Sequence, residues 1–581
     1  MSEQLQNKRH TLAHLLAAAV LETYPHAKLT LGPAIETGFY YDIDFSGGAV
    51  LGDDGLKDVQ KCMKKLLNKW EAFSHKEVTK EEAIAHFAGN EYKCELINEI
   101  AAKGETITLY TCGEFTDLCR GGHCEHPNKE IDTDAFVLDK VAGAYWRGDE
   151  KNKMLTRVYG LAFDTKDELD AYKKQLEEAK ARDHRKLGKE MDLFTFSDLV
   201  GAGLPLWTPK GTIVRHELDT FIWTLRQKHD YQRVTIPHIT KKDLYQTSGH
   251  WDKFADELFR ITTREGKEYA LKPMNCPHHT QIFDRQPHSY RDMPQRYAET
   301  TMVYRDEQSG ELGGLTRVLS ITQDDSHVFC RHSQIKNEFF RVWDIIDTFY
   351  GKFGFKLRVR LSFHDPAEMG KYLGTKEIWD NAENALREIA KERNADYFEA
   401  QGEAAMYGPK LDFMAKDSIG REHQVATIQL DMNLPERFDL SCINEKGEKE
   451  RIVMMHCAIM GSIERFSAVL IEHLAGNFPL WLSPVQIAVI PVNEVHNEYA
   501  QTIAQKLREV GVRVAIDTTN ESMGKKIRAA KKEKLPYFVV IGDKEVAGGS
   551  VTLETRGIDG NKEVILDTLV ERLVGEIKTR K

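Results

Sequence analysis

The order of apolar and polar positions divides the chain into stretches that predict different structures. Residues 1 to about 160 combine a helical pattern at 9–23, short alternating runs such as GFYYDIDF, and glycine-rich turns, which predicts an α+β arrangement. The next stretch, residues 165–193, has few apolar residues among many charges. That composition predicts an exposed helix that bridges two domains.

The largest block, from about residue 190 to 478, contains the strand-like runs KLRVRLSF, HQVATIQLDM and RIVMMHCAIM at irregular spacing. Irregular spacing favours an antiparallel sheet with helices over a regular parallel βαβ fold. From WLSPVQIAVIPV onward, the runs VRVAID and YFVVIG alternate with helical segments, which predicts a small doubly wound α/β domain. The predicted fold class is therefore multidomain α+β.

Composition narrows the class of protein. A length of 581 residues suggests about three or four domains, and 41% hydrophobic residues are enough for ordinary cores. The net charge of −10 argues against a generally basic nucleic-acid coat but leaves room for a local basic surface. No apolar run of about 18 residues predicts a membrane span. Nine cysteines and a polar N-terminus predict reduced thiols in the cytoplasm.

Candidate ligands cluster visibly in two N-terminal stretches. NKRHTLAHLL carries His10 and His14 on one helix face, and TDLCRGGHCEHP carries Cys119 and His123. Three imidazoles and a thiolate are a plausible tetrahedral zinc set. Acid–base chemistry without a metal and a purely structural cluster are the alternatives.

Candidate phosphate ligands stand in the large block. YRDE, a glycine-containing loop and ITQDDSHVF follow one another, and GSIERF opens a later helical stretch. Arg305 and Arg465 in these stretches are suited to bidentate phosphate binding, with solvated ion pairs as the alternative.

Taken together, these stretches resemble the class II aminoacyl-tRNA synthetases. LDTFIWTLRQKHDYQRVTIPHI resembles their motif 1, YRDE through TQDD resembles motif 2, and GSIERF resembles motif 3. More narrowly, the chain from about residue 8 to 575 is similar to the threonyl-tRNA synthetases. That likeness is carried by GFYYDIDF, AGAYWRGDEKNKMLTRVYG, HWDKF, KPMNCP, TQDDSHVFC, MYGPKLDF, ATIQLDM, GSIERF and GDKEV.

The resemblance implies a domain order and an activity. Residues 1–163 would be an editing domain, 164–188 a linker helix, 189–478 the catalytic domain and 479–581 the anticodon-binding domain. The family activates L-threonine with ATP and Mg²⁺, transfers it to tRNA(Thr), and hydrolyses seryl-tRNA(Thr). It forms homodimers through motif 1. A small N-terminal domain found in many members is not matched, whether naturally or by trimming.

The resemblance also implies residues for the synthetic site. Arg305 would hold the α-phosphate, Glu307 would place the adenine or substrate amine, and Arg465 would grip the far phosphates. Lys410 and His250 would lie near phosphate or the accepting ribose. The implied ATP site is Arg305, Glu307, Arg317, Ile321, Gln424, Thr427 and Arg465. Ile321 replaces the usual aromatic residue, and Leu319 stands where a second arginine is usual.

For the amino acid, the resemblance implies one zinc ion per subunit held by Cys276, His327 and His456. These three residues lie far apart in sequence, and no local pattern singles them out. Threonine would fill the open metal positions with its amine and hydroxyl, and Asp325 would accept a hydrogen bond from the hydroxyl. The implied pocket is Met274, Gln323, Asp325, Tyr407 and Gln429.

In the N-terminal stretches, the resemblance favours hydrolysis by a positioned water without a metal. The related domain of alanyl-tRNA synthetases binds zinc through a similar set, so that alternative stays open. Gly122 replaces a proline, and Cys124 and His126 are additional and expected on a solvent-facing loop. The implied editing residues are His10, His14, Lys93, Asp117, Cys119 and His123.

The basic segment 524–534 is compatible with a solvated helix face as well as with RNA binding. The tail resembles an anticodon-binding domain, which favours contact of this segment with RNA phosphates. Asn520 and Glu545 match positions that read anticodon bases. Glu554 stands where the family has an arginine, and Arg556 is expected to substitute for it.

Two other functions remain to be weighed. A class II synthetase specific for serine or proline is opposed by the set Cys276, His327 and His456 together with TQDD. A catalytically silent RNA-binding paralogue is opposed by the presence of Arg305, Glu307 and Arg465.

Overall fold

The computed structural model describes residues 2–581, which divide into two compact units. The N-terminal unit ends at Glu177, and the C-terminal unit spans Glu178–Lys581. Across residues 2–581, no helix combines the length and apolar character needed to cross a membrane.

Helix α1 (Glu3–Thr23) is the central helix of the N-terminal unit, and it begins at Glu3 rather than at the predicted residue 9. The first two turns are polar, so the apolar pattern did not reveal them. The Leu5 N–H donates a hydrogen bond of 3.2 Å to Ser2 Oγ, which caps the helix. Residues 11–20 of the helix are buried, and the helix packs on the sheet and on α2 (Leu56–Leu67).

Two antiparallel sheets complete the N-terminal unit. In the five-stranded sheet the order is β1-β3-β8-β7, with β2 paired to β3, and the order in the three-stranded sheet is β4-β5-β6. Strands β1–β8 are Lys28–Leu29, Ala34–Ile35, Gly38–Asp44, Ser74–Val78, Ile107–Cys112, Phe115–Leu118, Phe136–Tyr145 and Met154–Ala162. The remaining helices are α3 (Lys80–His86), α4 (Glu91–Ala102) and α5 (Pro127–Glu130).

The charged segment predicted as one bridging helix is two helices. Helix α6 (Lys166–Arg182) contains the division between the units, and α7 (His184–Glu190) follows it. Asp183 separates them because its side chain accepts a hydrogen bond from the Arg185 N–H and caps α7.

The C-terminal unit is built on an eight-stranded sheet, which confirms the predicted antiparallel class. Its order is β11-β15-β16-β23-β20-β19-β17-β18, and only the outer pairs β11/β15 and β17/β18 are parallel. Strands β9–β23 are Phe194–Thr195, Leu206–Trp207, Gln232–Arg233, Ile239–Lys241, Arg260–Thr262, Glu268–Leu271, Gln295–Tyr304, Ser320–Cys330, Lys356–Phe363, Tyr397–Gln401, Lys410–Lys416, Glu422–Asp431, Ser441–Ile443, Lys449–Arg451 and Val453–Ser462.

Helices cover one face of this sheet and form the largest core with it. Leu218 of α8, Phe339 of α12, Leu386 of α13 and Ile471 of α15 are all buried there. The helices of this region are α8 (Pro209–Gln227), α9 (Lys242–Ser248), α10 (His250–Lys253), α11 (Cys276–Asp284), α12 (Ile335–Gly351), α13 (Lys376–Glu392), α14 (Asn433–Arg437) and α15 (Ile463–Leu474).

The last part of the unit alternates strands and helices as predicted, but its sheet is mixed. In the order β25-β24-β26-β27-β28, the first three strands are parallel and the last two pair antiparallel. These strands β24–β28 are Ile487–Pro491, Val514–Ile516, Tyr537–Ile541, Ser550–Thr555 and Asn561–Ile565. The helices are α16 (Asn497–Glu509), α17 (Met523–Lys532), α18 (Asp543–Gly548) and α19 (Leu566–Thr579).

A buried ion pair joins the motif 1 helix α8 to the motif 2 strand β16. Arg226 Nη2 lies 2.6 Å from Asp324 Oδ1, and both side chains are almost inaccessible to solvent. Asp324 Oδ2 also accepts hydrogen bonds from the N–H groups of Ile459 and Met460 in β23. Three elements therefore meet at one carboxylate.

We predict that removal of this ion pair greatly lowers the free energy of unfolding. Arg226→Ala leaves a buried carboxylate without its cation, so we expect a loss of about 3–5 kcal/mol in unfolding free energy. Lys376→Ala, which removes the exposed pair with Asp380, is the control and is expected to cost about 0.3–0.5 kcal/mol. Denaturant unfolding followed by tryptophan fluorescence makes the comparison, and equal losses would contradict it.

Candidate active sites

A cavity of about 560 Å³ lies in the C-terminal unit beside β16, β20 and β23. It brings together most of the residues that the sequence predicted for the synthetic site. Its lining includes Met274, Cys276, Arg305, Glu307, Arg317, Ile321, Gln323, Asp325, His327, Tyr407, Gln424, Thr427, Gln429, His456 and Arg465.

Strand β16 supplies the cavity through the alternation of its side chains. Residues 321, 323, 325 and 327 line the cavity, because every second residue of a strand faces the same side. The intervening residues bond to other elements: Thr322 to Glu464, Asp324 to Arg226, and Ser326 to the Cys457 carbonyl.

Cys276, His327 and His456 converge at one end of the cavity. His327 and His456 are directly opposite each other in the β16/β23 pairing, and Cys276 is the first residue of α11. His327 Nε2 and His456 Nδ1 are 3.1 Å apart. One ligand atom from each of the three residues lies within 4.8 Å of the others.

The other ring nitrogens of both histidines are already engaged. His456 Nε2 is 2.9 Å from Asp431 Oδ2, and His327 Nδ1 is 2.7 Å from His279 Nδ1. These contacts orient the rings and aim His327 Nε2 and His456 Nδ1 at a common point. Burial raises the pKa of Cys276, a shift that a bound divalent cation would oppose. One thiol and two imidazoles fit a zinc site with an open position.

Two arginines face the cavity without anionic partners. Arg305 and Arg465 make no ion pair within residues 2–581, and Arg305 Nε is buried without a hydrogen-bond acceptor. Arg317 differs because its Nη2 lies 2.6 Å from Glu307 and 2.9 Å from Glu311. Unpaired guanidinium groups in a cavity are ready to bind an anion.

A buried carboxylate that the sequence did not reveal, Asp412, binds two polar residues of β20, Gln424 and Thr427. Asp412 Oδ1 accepts hydrogen bonds from Thr427 Oγ1 at 2.6 Å and from Gln424 Nε2 at 2.9 Å. Arg360 Nη2 donates to Asp412 and to Gln424. The alternation of Lys410 and Asp412 on strand β19 was the available signal, since both face the same side.

The predicted amino-acid pocket surrounds the Cys276 end of the cavity. Asn275 Nδ2 donates to Asp325 Oδ2 at 3.0 Å, so the Oδ1 atom of that carboxylate stays available. Gln429 Nε2 donates to the Gly408 carbonyl at 3.0 Å. The Tyr407 ring lies 4.9 Å from the His456 ring, between centroids.

Two predicted catalytic residues do not line the cavity. His250 is fully buried, with its Nε2 3.1 Å from the Met274 sulfur and its Nδ1 2.8 Å from Ser248 Oγ. Burial lowers the pKa of His250 to about 3, so its ring is neutral. Lys410 Nζ lies 3.5 Å from Asp412. His250 therefore contacts the lining residue Met274. Lys410 contacts Asp412, which in turn bonds to the lining residues Gln424 and Thr427.

A second cavity, of about 570 Å³, lies in the N-terminal unit. Five of the six predicted editing residues line it, namely His10, His14, Lys93, Asp117 and Cys119. His123 lies behind Cys119 and stacks on Phe73 with 4.2 Å between ring centroids. The structure therefore brings five of the six predicted residues to one cavity and places His123 in the wall behind it.

The sulfur of Cys119 is the centre of this cluster. It lies 3.2 Å from His123 Nε2 and 3.6 Å from His10 Nε2. His10 Nδ1 donates to the Gly122 carbonyl at 3.1 Å, which leaves Nε2 as the proton acceptor. Burial lowers the pKa of His10 and of His14, lowers that of His123 to about 2, and raises the pKa of Cys119 to about 11. The cluster holds neutral imidazoles and a neutral thiol.

Lys93 and Asp117 form a buried ion pair beside the cluster, with Nζ 2.5 Å from Oδ1. The Tyr41 hydroxyl donates to Asp117 at 2.6 Å and accepts from Lys93 at 3.1 Å. Tyr41 was missed in the sequence. The signal was its place in GFYYDIDF, where a buried polar residue requires partners.

The extra residues of TDLCRGGHCEHP lie outside the cluster. Cys124 packs in the apolar core and not on a solvent-facing loop, which corrects the prediction. His126 is exposed and contacts the Glu71 carbonyl. Gly122 has φ +82°, a conformation closed to proline, and its carbonyl is the acceptor for His10.

In the last part of the chain, Arg556 is engaged elsewhere. Its Nη1 donates to the Lys534 carbonyl and its Nη2 to the Phe478 carbonyl at 2.7 Å. Its predicted substitution for an anticodon-reading arginine is therefore not supported by its contacts. Glu545 accepts from Thr552 Oγ1 and the Gly542 N–H, and Asn520 is exposed before α17.

Known protein families match segments of both units: two families match the C-terminal unit and one matches the N-terminal unit. The family "tRNA synthetase class II core domain (G, H, P, S and T)" matches residues 259–474, and "Anticodon binding domain" matches 486–576. "Threonyl and Alanyl tRNA synthetase second additional domain" matches residues 107–159. The antiparallel sheet of the C-terminal unit therefore belongs to a class II aminoacyl-tRNA synthetase core.

Individual relatives show which amino-acid specificity within this class the chain resembles. The Threonine--tRNA ligase of Porphyromonas gingivalis (strain ATCC 33277) is 49% identical over 97% of this chain and 86% of its own length. That of Cytophaga hutchinsonii is 47% identical over 98% of this chain and 88% of its own length. The chain belongs to the threonyl-tRNA synthetase family, which confirms the resemblance found in the sequence.

Solved structures agree with this assignment. The RNA binding domain of threonyl-tRNA synthetase from Cryptosporidium parvum Iowa II is 38% identical, with a TM-score of 0.65 over 68% of this chain and 98% of that one. Putative threonyl-tRNA synthetase ThrRS-1 from Aeropyrum pernix is 30% identical, with a TM-score of 0.60 over 68% of this chain and 97% of that one.

The environment of Cys119 predicts a slowly reacting thiol. Because its pKa is raised to about 11, we expect slow alkylation by iodoacetamide at neutral pH. The rate should rise about tenfold per pH unit up to that value, since the thiolate is the nucleophile. Peptide mass spectrometry with Cys119→Ser as the control measures the rate, and rapid alkylation that is already maximal at pH 8 would contradict this picture.

Proposed function

We propose that this enzyme activates L-threonine with ATP and Mg²⁺, transfers it to tRNA(Thr), and hydrolyses seryl-tRNA(Thr) in its N-terminal unit. One observation supports this proposal above the others. A single cavity holds both a cysteine–histidine–histidine donor set and two arginines without ion-pair partners. An amino acid and a nucleotide are the ligands that such a pair of subsites would bring together.

In the adenylation step, Arg305 would hold the α-phosphate and Arg465 the distal phosphates. Glu307 would place the adenine or the substrate amine, after exchange of its ion pair with Arg317. Magnesium would neutralise the leaving pyrophosphate. Such a step works by positioning and charge, so no protein nucleophile is needed. Ile321 offers adenine an aliphatic face, without the roughly 0.5–1.5 kcal/mol of aromatic stacking.

Cys276 Sγ, His327 Nε2 and His456 Nδ1 would hold a zinc ion. When bound, zinc supplies a Lewis-acid contact for the amine and hydroxyl of threonine. Asp325 Oδ1 would accept the substrate hydroxyl's hydrogen bond, because Asn275 already occupies Oδ2. Valine has no hydroxyl to satisfy this carboxylate, and a buried polar group left unpaired gives strong rejection.

Serine keeps both polar groups of threonine and lacks only a methyl group. A methyl difference discriminates by only about 1–3 kcal/mol, so the synthetic site alone would admit serine. A second site that removes serine from tRNA is the physical remedy. The cavity beside Cys119 is the candidate for this second site.

Hydrolysis there would proceed by a positioned water without a metal. His14 Nδ1 and His123 Nδ1 are buried without hydrogen-bond partners, and the nearest carboxylate oxygen to His14 Nδ1, Asp117 Oδ2, is 3.7 Å away. Both histidines of the Cys276 cluster, in contrast, have an orienting contact. Orienting partners are a regular feature of metal-ligating histidines. His10 Nε2 would accept the proton of the water, and the Lys93 ammonium would stabilise the oxyanion.

We also propose a homodimer formed through the motif 1 elements α8 and β11, and a cytoplasmic location. Nine cysteines without a disulfide among residues 2–581 support the location. For the anticodon we retain Asn520 and Glu545, and we expect the basic helix α17 to contact RNA phosphates.

Metal analysis tests the synthetic site. We expect one zinc per chain by mass spectrometry in the wild type and in Cys330→Ala, and none in Cys276→Ser because one ligand is lost. Threonine-dependent ATP–pyrophosphate exchange should fall with the metal. Exchange driven far better by serine or proline would overturn the substrate assignment, and a second zinc would overturn metal-free editing.

Variants of the second cavity test editing. Cys119→Ala and His10→Ala should slow seryl-tRNA hydrolysis roughly 100-fold or more, the effect typical of a lost acid–base group. Threonylation should be unchanged. His126→Ala, outside the cluster, is the control and should hydrolyse seryl-tRNA normally. If both cluster variants cleared serine at the wild-type rate, the site would be wrongly placed.

A further inference from the structure

We propose that His184 is a positioning residue for the ATP end of the synthetic cavity, because it holds the tip of the motif 2 loop. This inference rests on the proposed function. None of the sequence motifs contains His184, which is the first residue of helix α7. Its ring lies between the loop and helix α15.

The contact with the loop is a main-chain hydrogen bond. The Leu315 N–H donates to His184 Nε2 at 3.1 Å. Leu315 is fully buried, so loss of this acceptor would strand a buried donor. Gly314, next to it, has φ +54°, and a Cβ there would come within 2.4 Å of His184 Nε2. The glycine permits the close approach.

The opposite side of the ring is fixed by a carboxylate. His184 Nδ1 donates to Glu472 Oε1 at 2.7 Å, and Arg421 Nη2 donates to Glu472 Oε2 at 2.6 Å. Burial raises the pKa of Glu472, but the hydrogen bonds from His184 and Arg421 outweigh burial and lower it. The carboxylate is thus ionised and selects the tautomer whose Nε2 accepts from Leu315.

These contacts exclude a metal site at this position. Asp183, His184 and Glu472 lie close enough together to hold an ion. However, the lone pair of His184 Nε2 faces the Leu315 N–H, and the Nδ1 proton faces Glu472. No imidazole lone pair remains for a cation, so the ring serves the architecture of the loop.

The residues directly after Leu315 link the position of the loop tip to the wall of the cavity. Thr316, Arg317 and Val318 all line it. The Gly313 N–H donates to the Arg317 carbonyl at 3.2 Å, which makes residues 313–317 a tight turn. Release of the tip would therefore loosen the lining on the ATP side. The threonine pocket, built on β16, β20, β23 and α11, would be unaffected.

A matched pair of substitutions tests this role. In His184→Gln the side-chain amide oxygen can replace Nε2 as acceptor, whereas in His184→Asn it is too short to reach Leu315. We expect the Kd of Mg·ATP, measured by calorimetry on the full chain, to rise roughly tenfold in His184→Asn, the value of one lost hydrogen bond. The Kd should stay within about twofold of wild type in His184→Gln. The Kd of L-threonine should not change in either variant.

Gly314→Ala gives a second, independent measurement. It should raise the Kd of Mg·ATP, and its effect should not multiply with that of His184→Asn, because both disrupt one contact. Equal Kd values in the Asn and Gln variants, or a fully multiplicative double variant, would overturn the proposal. ATP binding does not depend on which amino acid is activated. Failure of threonine-dependent exchange would therefore count against the proposed function alone.

Discussion

The two-residue alternation of strand β16 is the constraint on which the synthetic site depends. One face presents Ile321, Gln323, Asp325 and His327 to the cavity, and the other bonds to helix α8, strand β23 and helix α15. Because both faces are specified, a slip of one residue would turn the pocket away and bury the wrong side chains. The Arg226–Asp324 pair on the back of the strand therefore supports the geometry of the ligands on its front.

The histidines discussed above fall into three kinds according to which of their two ring nitrogens contact other protein groups. In His327 and His456 one nitrogen is held and the other is aimed at a shared point, which suits a metal. In His184 both nitrogens are used by the protein, which suits architecture. In His14 and His123 the buried Nδ1 atom has no hydrogen-bond partner; His14 lines the N-terminal cavity and His123 lies in the wall behind Cys119. Residue type alone cannot separate these cases.

The two cavities address different physical problems. A hydroxyl group can be recognised strongly, since a polar group that loses its partner on binding is penalised; Asp325 is the residue that we propose for this contact. A missing methyl group cannot be rejected strongly, since it costs only about 1–3 kcal/mol. In the proposed function, the chemistry at Cys119 and the chemistry at Cys276 therefore complement each other, and neither could replace the other at a single site.

Sequence by itself determined the local features: the antiparallel sheet from its alternating runs, the helix at 9–23, and the visible cluster of His10, His14 and Cys119. It also identified the family through ordered motifs. The sequence did not predict the break between helices at Asp183 or the burial of Cys124. It also did not predict the hydrogen bonds of Arg556 to two carbonyls or those of His184 with Leu315 and Glu472. Side-chain periodicity is encoded locally, whereas the partner of a ring or guanidinium is chosen by strand pairing and packing between residues far apart in the chain. Only the tertiary structure decided those partners.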